Sequence, residues 1–184
     1  SYETFIKQSN FSTILDPMHS ELSFQKSHDE NLLPIFKDVF KPNQNQFTVL
    51  HMMGSHWWYE TRYPDKFRKF KPVIKSKHVN SNSKEEMINS YDNTILYLDY
   101  FINETIKYVE SKNSNSVIIY LADHGETLGE NNKWLHAQGE KSSENPALLI
   151  WYSEKFKQQN EAIISRLQSH QNQKIPLDFF FNSI

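Results

Sequence analysis

Histidine and acidic residues meet glycine in this chain at sites whose residue types can do chemistry. The first is Gly54-Ser55-His56. The second is Asp123-His124-Gly125-Glu126, continued by Thr127-Leu128-Gly129-Glu130 and then by Trp134-Leu135-His136. The sequence holds only four glycines, and three of them fall beside His or Glu, which marks positions where backbone geometry or close approach matters. Adjacent Asp123 and His124 offer one oxygen and one nitrogen ligand, a pair suited to a borderline ion such as zinc. Neighbouring residues share one ion only if the backbone turns sharply, and Gly125 is expected to supply that turn. Glu126 is placed to orient His124 as an outer carboxylate. Two ligands do not close a metal site, so other groups must come from elsewhere. His56 and His136 are available to bind metal, hold a phosphate, or move protons near neutral pH. Trp58 and Tyr59, with Trp57 and Tyr63, form either a substrate wall or an aromatic pack on the core.

Blander readings compete with each of these. A turn capped by Asp often produces Asp-His-Gly by itself. What favours chemistry here is the buried strand before it, the Glu, the second Gly-Glu and the downstream His. His51 falls inside a strand pattern and reads as structural, whereas His19, His28, His78 and His170 lie in polar segments and read as surface residues.

The elements that must position these residues follow from hydrophobic periodicity. Phe5-Ile6 and Thr13-Ile14-Leu15 suggest short strands, the second ended by Asp16-Pro17. Asp29 is expected to cap a helix running to Phe40, with Leu32, Leu33, Phe36 and Phe40 on one face. Phe47 to Met52 reads as a buried strand. An irregular aromatic stretch follows, where Pro64 and Pro72 forbid a continuous helix. From Lys84 a long helix carries Met87, Tyr91, Ile95, Leu98, Ile102, Ile106 and Val109 at three- and four-residue spacing, with Ser83 and Glu86 forming a capping box. Val117-Ile118-Ile119-Tyr120-Leu121 is the clearest strand, expected to be buried on both faces. Another strand spans Ala147 to Tyr152, a helix of about a dozen residues starts near Glu154, and Pro176 opens a last helical segment. This rhythm predicts an α/β domain with a largely parallel sheet flanked by helices, with its functional residues just beyond the carboxyl ends of the strands.

Composition narrows the class further. At 184 residues, with 38% hydrophobic and 23% charged residues, the chain can bury one globular core. A net charge of −2 argues against nucleic-acid binding. The basic run from Lys66 to Lys77 is broken by Phe67, Phe70 and Pro72 and reads as a solvated rim. With no cysteine, disulfides and thiol chemistry are excluded. No apolar stretch is long enough to span a bilayer, and no leader precedes Ser1. Both ends look cut from something longer.

Leu50-His51-Met52-Met53-Gly54-Ser55-His56, followed by Tyr59 and Arg62-Tyr63-Pro64, resembles the matching segment of bacterial phosphoethanolamine transferases. So do Tyr91-Asp92-Asn93-Thr94-Ile95-Leu96-Tyr97-Leu98-Asp99 and Asp123 to Asn131 with Leu135-His136. These enzymes belong to the sulfatase-like branch of the alkaline phosphatase superfamily. The resemblance implies that residues 1–184 are the C-terminal part of a sulfatase-like catalytic domain, incomplete because the N-terminal half is missing. In that family a threonine attacks the phosphate of phosphatidylethanolamine, forms a phospho-enzyme, and passes the group to a lipid A or core-sugar acceptor of lipopolysaccharide. The family's zinc ligands match Asp123 and His124, with a Glu and the nucleophilic Thr supplied upstream. His56 and His136 would then lie beside the phosphoryl group, Glu126 would tune the metal shell, and Trp58 and Tyr59 would face substrate.

The resemblance also implies upstream membrane helices and a location on the periplasmic face of a bacterial inner membrane. Trp57-Trp58 stand where relatives often carry Gly-Pro, so a bulkier pocket wall and a different acceptor are expected. The cysteines of many relatives are missing. A sulfatase or phosphodiesterase of the same fold would share the Asp-His pair, and a non-catalytic binding fragment would account for the missing nucleophile. A sheet cut through its middle exposes strand edges, so self-association of the fragment is expected.

Overall fold

Helix α3 (Lys84–Ser111) is the spine of the computed structural model, which describes residues 3–15, 28–136, 139–174 and 176. Its start is the predicted capping box: the Ser83 hydroxyl accepts from the Glu86 amide at 3.2 Å, and the Glu86 carboxylate accepts from the Ser83 amide at 2.8 Å. Its buried stripe is not purely apolar. Met87, Tyr97, Phe101 and Val109 are joined by Ser90, Asn93, Thr94 and Thr105, whereas Ile95, expected in the stripe, is exposed.

The polar members are tolerated inside because each has a partner. Asn93 Oδ1 accepts from the amides of Lys69 and Phe70 at 2.8 and 2.9 Å. Its amide nitrogen donates to the Phe70 carbonyl at 3.0 Å. Ser90 Oγ accepts from the Ile74 amide at 2.9 Å. These bonds fasten the irregular 54–82 stretch, with its 3-10 turns Tyr59–Thr61, Asp65–Phe67 and Val79–Ser81, onto α3. Tyr59, Ile74 and Met87 form the buried apolar cluster beneath it.

Upstream, Glu3–Gln8 is a helix (α1), where a short strand was expected at Phe5-Ile6, and Thr13 to Leu15 form no element. A 3-10 turn (Asp29–Asn31) leads into α2 (Leu32–Val39), whose Leu33 and Phe36 are buried. His28, expected at the surface, is half-buried, with its ring 6.1 Å from that of Tyr97. His19 and the expected C-terminal helical segment after Pro176 lie outside the described residues.

The sheet departs from expectation. Strand β1 (Val117–Leu121) pairs antiparallel with β4 (Leu148–Tyr152), from Val117 opposite Tyr152 to Leu121 opposite Leu148. A second antiparallel pair joins β2 (Thr127–Leu128) to β3 (Trp134–Leu135). The expected largely parallel sheet is therefore not present among the described residues, where both sheets are two-stranded. The physical reason is connectivity. A parallel return uses a crossover, usually a helix, and among its described residues the connection from β1 to β4 carries a short hairpin and a 3-10 turn but no α-helix.

The expected strand at Phe47 to Met52 is extended chain that forms no strand among the described residues, and His51, Phe47 and Val49 are exposed. Leu50 and Met52 line one side of a groove of about 530 Å³, and Phe101 and Val117 to Tyr120 line the other. The alternation in β1 fits this: Val117 and Ile119 are exposed, so β1 is not buried on both faces. Helices α4 (Glu154–Gln159) and α5 (Glu161–His170) complete the described chain, with the Ser153 hydroxyl accepting from the Phe156 amide at 3.2 Å.

Candidate active site

The last rung of the β1–β4 ladder is the Ala122 amide donating to the Ala147 carbonyl at 3.0 Å, and the chain leaves the sheet at Asp123. Asp123 is exposed, and its Oδ1 lies 3.7 Å from His124 Nε2. The His124 Nδ1 bonds the Gly125 carbonyl at 2.7 Å. A carbonyl only accepts, so Nδ1 carries the proton and the Nε2 lone pair is left for a metal or a proton. A carboxylate oxygen and an imidazole lone pair side by side fit a zinc-like ion.

The chain bends at Asp123 and His124, and Gly125 after them serves close approach. A Cβ there would overlap the Ser142 carbonyl oxygen, while the Gly125 amide donates to the Ser143 carbonyl at 2.9 Å.

The β2–β3 hairpin brings His136 back to this point. Gly129 adopts φ +99°, its amide donates to the Lys133 carbonyl at 2.9 Å, and Thr127 faces Leu135 in the register. The rings of His124 and His136 end up stacked, with centroids 4.1 Å apart, and His56 lies 6.2 Å from His136. Periodicity treats Thr127 to His136 as loop, because strands of two residues leave no repeat to detect.

The Gly125 carbonyl, rather than Glu126, takes the His124 Nδ1 proton. Instead Glu126 Oε1 accepts from the Tyr59 hydroxyl at 2.9 Å, and Oε2 lies 3.9 Å from His136 Nδ1. One ligand atom each from His124, Glu126 and His136 fall within 4.8 Å of one another, which adds Glu126 and His136 to the groups able to hold a metal. Burial raises the pKa of Glu126, and the Tyr59 hydrogen bond and the three histidines oppose that rise. Tyr59, expected to face substrate, is fully buried, and desolvation pushes its pKa far up. It supports Glu126 from below. Trp58 is half-buried beside it.

His56 reaches the site on an exposed loop, its Nδ1 bonded to the Trp57 carbonyl, which again frees Nε2. Three groups to which the sequence assigned no role at the site hold this loop. The Asp29 carboxylate accepts from two of its amides, Arg62 donates to two of its carbonyls, and the Thr94 hydroxyl bonds Ser55. For Asp29 the sequence offers only a helix-cap signal, since its true partners lie 24 and 25 residues ahead.

The chain is also similar to known proteins. The sulfatase family model matches residues 1–182. The chain is 37% identical over 152 residues to phosphoethanolamine transferase EptA of Helicobacter pylori, a match covering 79% of this chain and 29% of that protein. It is 33% identical over 144 residues to the Kdo(2)-lipid A phosphoethanolamine 7''-transferase of Escherichia coli, covering 73% of this chain and 24% of that protein. Among solved structures, the C-terminal periplasmic domain of phosphoethanolamine transferase EptC from Campylobacter jejuni superposes with a TM-score of 0.66. It is 35% identical, and the match covers 78% of this chain and 47% of that one. The corresponding domain of EptC from Escherichia coli, in complex with Zn, gives a TM-score of 0.63 at 26% identity, covering 76% of this chain and 41% of that one. The chain thus spans under a third of the length of these two transferases and under half of the two solved domains. The chain belongs to the sulfatase family, and the relatives it resembles there are phosphoethanolamine transferases.

Proposed function

We propose that this chain forms the C-terminal part of a zinc-dependent phosphoethanolamine transferase. It would move the headgroup phosphate of phosphatidylethanolamine, through a phospho-enzyme whose nucleophile lies outside this chain, to a lipid A or core-sugar acceptor. The observation that carries the reading is the convergence of Asp123, His124, Glu126, His136 and His56, with Nδ1 of His124 and of His56 each bonded to a backbone carbonyl so that Nε2 carries the lone pair. The transferase names of the relatives and the zinc complex of one solved neighbour support it.

Asp123 and His124 would hold the ion, with Glu126 and His136 beside them. Bound zinc supplies a lowered pKa for an oxygen nucleophile and polarises phosphoryl oxygens. His56 and His136 bind the phosphoryl oxygens or carry the proton between nucleophile and leaving group. Glu126, braced by Tyr59, fixes the His136 ring. Trp58 and Trp57 wall the acceptor side.

The full-length protein would sit on the periplasmic face of a bacterial inner membrane through upstream helices. Among the described residues no helix is long and apolar enough to cross a membrane. The chain by itself would pair with a second copy through its exposed strand edges.

The test is metal content and zinc titration of the chain, followed by headgroup transfer assayed on phosphatidylethanolamine vesicles with lipid A, using a protein of the relatives' length. One zinc per chain is expected, with affinity falling at least about tenfold in His124→Ala and transfer lost with it. Unchanged affinity in that variant would sink the ligand assignment. Hydrolysis of soluble sulfate or phosphate esters without headgroup transfer would replace the transferase reading.

A further inference from the structure

We propose that Asp29 is a positioning residue for His56, holding the loop that presents this histidine to the phosphoryl group; the phosphoryl part of this statement rests on the function proposed above. Its two carboxylate oxygens are used separately: Oδ1 accepts from the Met53 amide and Oδ2 from the Gly54 amide, each at 2.9 Å. Gly54 sits at φ +59°, a backbone state the loop needs and most residues avoid. The next residue is tied by the Thr94 hydroxyl, 2.7 Å from Ser55 Oγ. The two after it are tied by Arg62, whose Nε donates to the His56 carbonyl at 2.9 Å and whose second guanidinium nitrogen donates to the Trp57 carbonyl at 3.2 Å.

Five consecutive residues, Met53 to Trp57, are thereby fixed from outside the loop. Asp29 is the anchor at its entrance. A carboxylate accepting two amides makes charge-assisted bonds stronger than neutral ones, and a loop locked before substrate arrives loses less freedom on binding.

Asp29 is itself held in place. It opens the 3-10 turn before α2, and the next residue, Glu30, donates its amide to the Tyr97 hydroxyl on α3 at 2.7 Å. The line from α3 through Tyr97, the turn and Asp29 to Gly54 links the spine of the fold to the His56 ring. The ordinary role for an Asp at a helix start, capping its own helix, does not account for a carboxylate whose two oxygens go to amides 24 and 25 residues ahead.

The proposal is tested on the chain as it stands, by amide hydrogen exchange and by nitrogen-15 spectra of the imidazoles, comparing the natural sequence with Asp29→Asn. In the natural sequence the Met53 and Gly54 amides exchange slowly and His56 shows one tautomer, protonated at Nδ1. Asn keeps one acceptor oxygen and turns the other into an NH₂ group that cannot accept. One of the two amides should then exchange about tenfold faster, and His56 should become a mixture of tautomers while His124 keeps its signature. An unchanged His56 spectrum, or equal changes at His56 and His124, would overturn the proposal. Should Asp29→Asn not fold, the natural sequence decides: unprotected Met53 and Gly54 amides would equally overturn it. A chain that takes no zinc would leave these readouts intact and count against the functional reading alone.

Discussion

At the level of single residues, the site depends on which atom each histidine leaves free. His124 and His56 both give Nδ1–H to a backbone carbonyl of the following residue and keep Nε2 for chemistry. Glu126 is the buried counterpart: desolvation raises its pKa above the ordinary 4.5, and the Tyr59 hydroxyl works against that rise. The sign of the effect on stability follows. A carboxylate whose folded pKa is raised costs stability when ionised, above that pKa. That cost is relieved as pH falls through the folded value towards 4.5. Tyr59→Phe removes an interaction that favours the charged form, so the relief should begin at a higher pH than in the natural sequence. Urea midpoints of the metal-free chain measured across the acid range check this, and identical pH profiles for the two proteins would contradict the Tyr59–Glu126 bond. His124, Glu126 and His136 were all legible from motif spacing. The partnership of Tyr59 with Glu126 was not, because it joins residues 67 positions apart through a packing arrangement that no local pattern encodes.

At the level of elements, α3 shows why a hydrophobic pattern locates a helix but misplaces its buried face. Apolar spacing and the capping box mark the helix correctly from Lys84. The stripe that faces the core, however, runs through Ser90, Asn93, Thr94 and Thr105, each buried with a hydrogen-bond partner, while Ile95 points to solvent. A side chain that satisfies backbone groups in a neighbouring loop can be buried at little cost, and the loop then depends on it. Asn93→Leu would improve the apolar pattern, yet it should destabilise the fold by about 2–4 kcal/mol, because the Lys69 and Phe70 amides lose their acceptor. Urea denaturation measures this, and a neutral or stabilising effect would show that water replaces Asn93. The β2–β3 hairpin, by contrast, has no signature of its own. Only the pairing of Thr127 with Leu135 turns the downstream histidine back onto His124.

At the scale of the whole molecule, the most telling feature is the groove between the extended segment around Leu50 and Met52 and strand β1. Phe47, Val49, Val117 and Ile119 are exposed along this region, and one edge of β1 has no partner among the described residues. Apolar side chains beside an open strand edge favour pairing with another chain. Sedimentation velocity of the chain alone should show a concentration-dependent dimer, shifted towards monomer by Phe47→Ser and Val49→Thr together. A monomer at all concentrations would remove self-association from the account.

The motif residues, the long helix with its cap, the strands near Val117 and Leu148, and the family could be read from the chain alone, because these rest on local spacing and on short blocks read in order. The tertiary structure alone decided that β1 and β4 run antiparallel and that Tyr59 lies beneath the site. It also decided that Gly125 is required by the Ser142 carbonyl, and that the Asp29 carboxylate is bonded to the His56 loop. The physical reason is common to all four. Each depends on which distant groups meet across space, and a hydrogen-bond donor or a sterically crowded backbone accepts whatever partner the fold delivers.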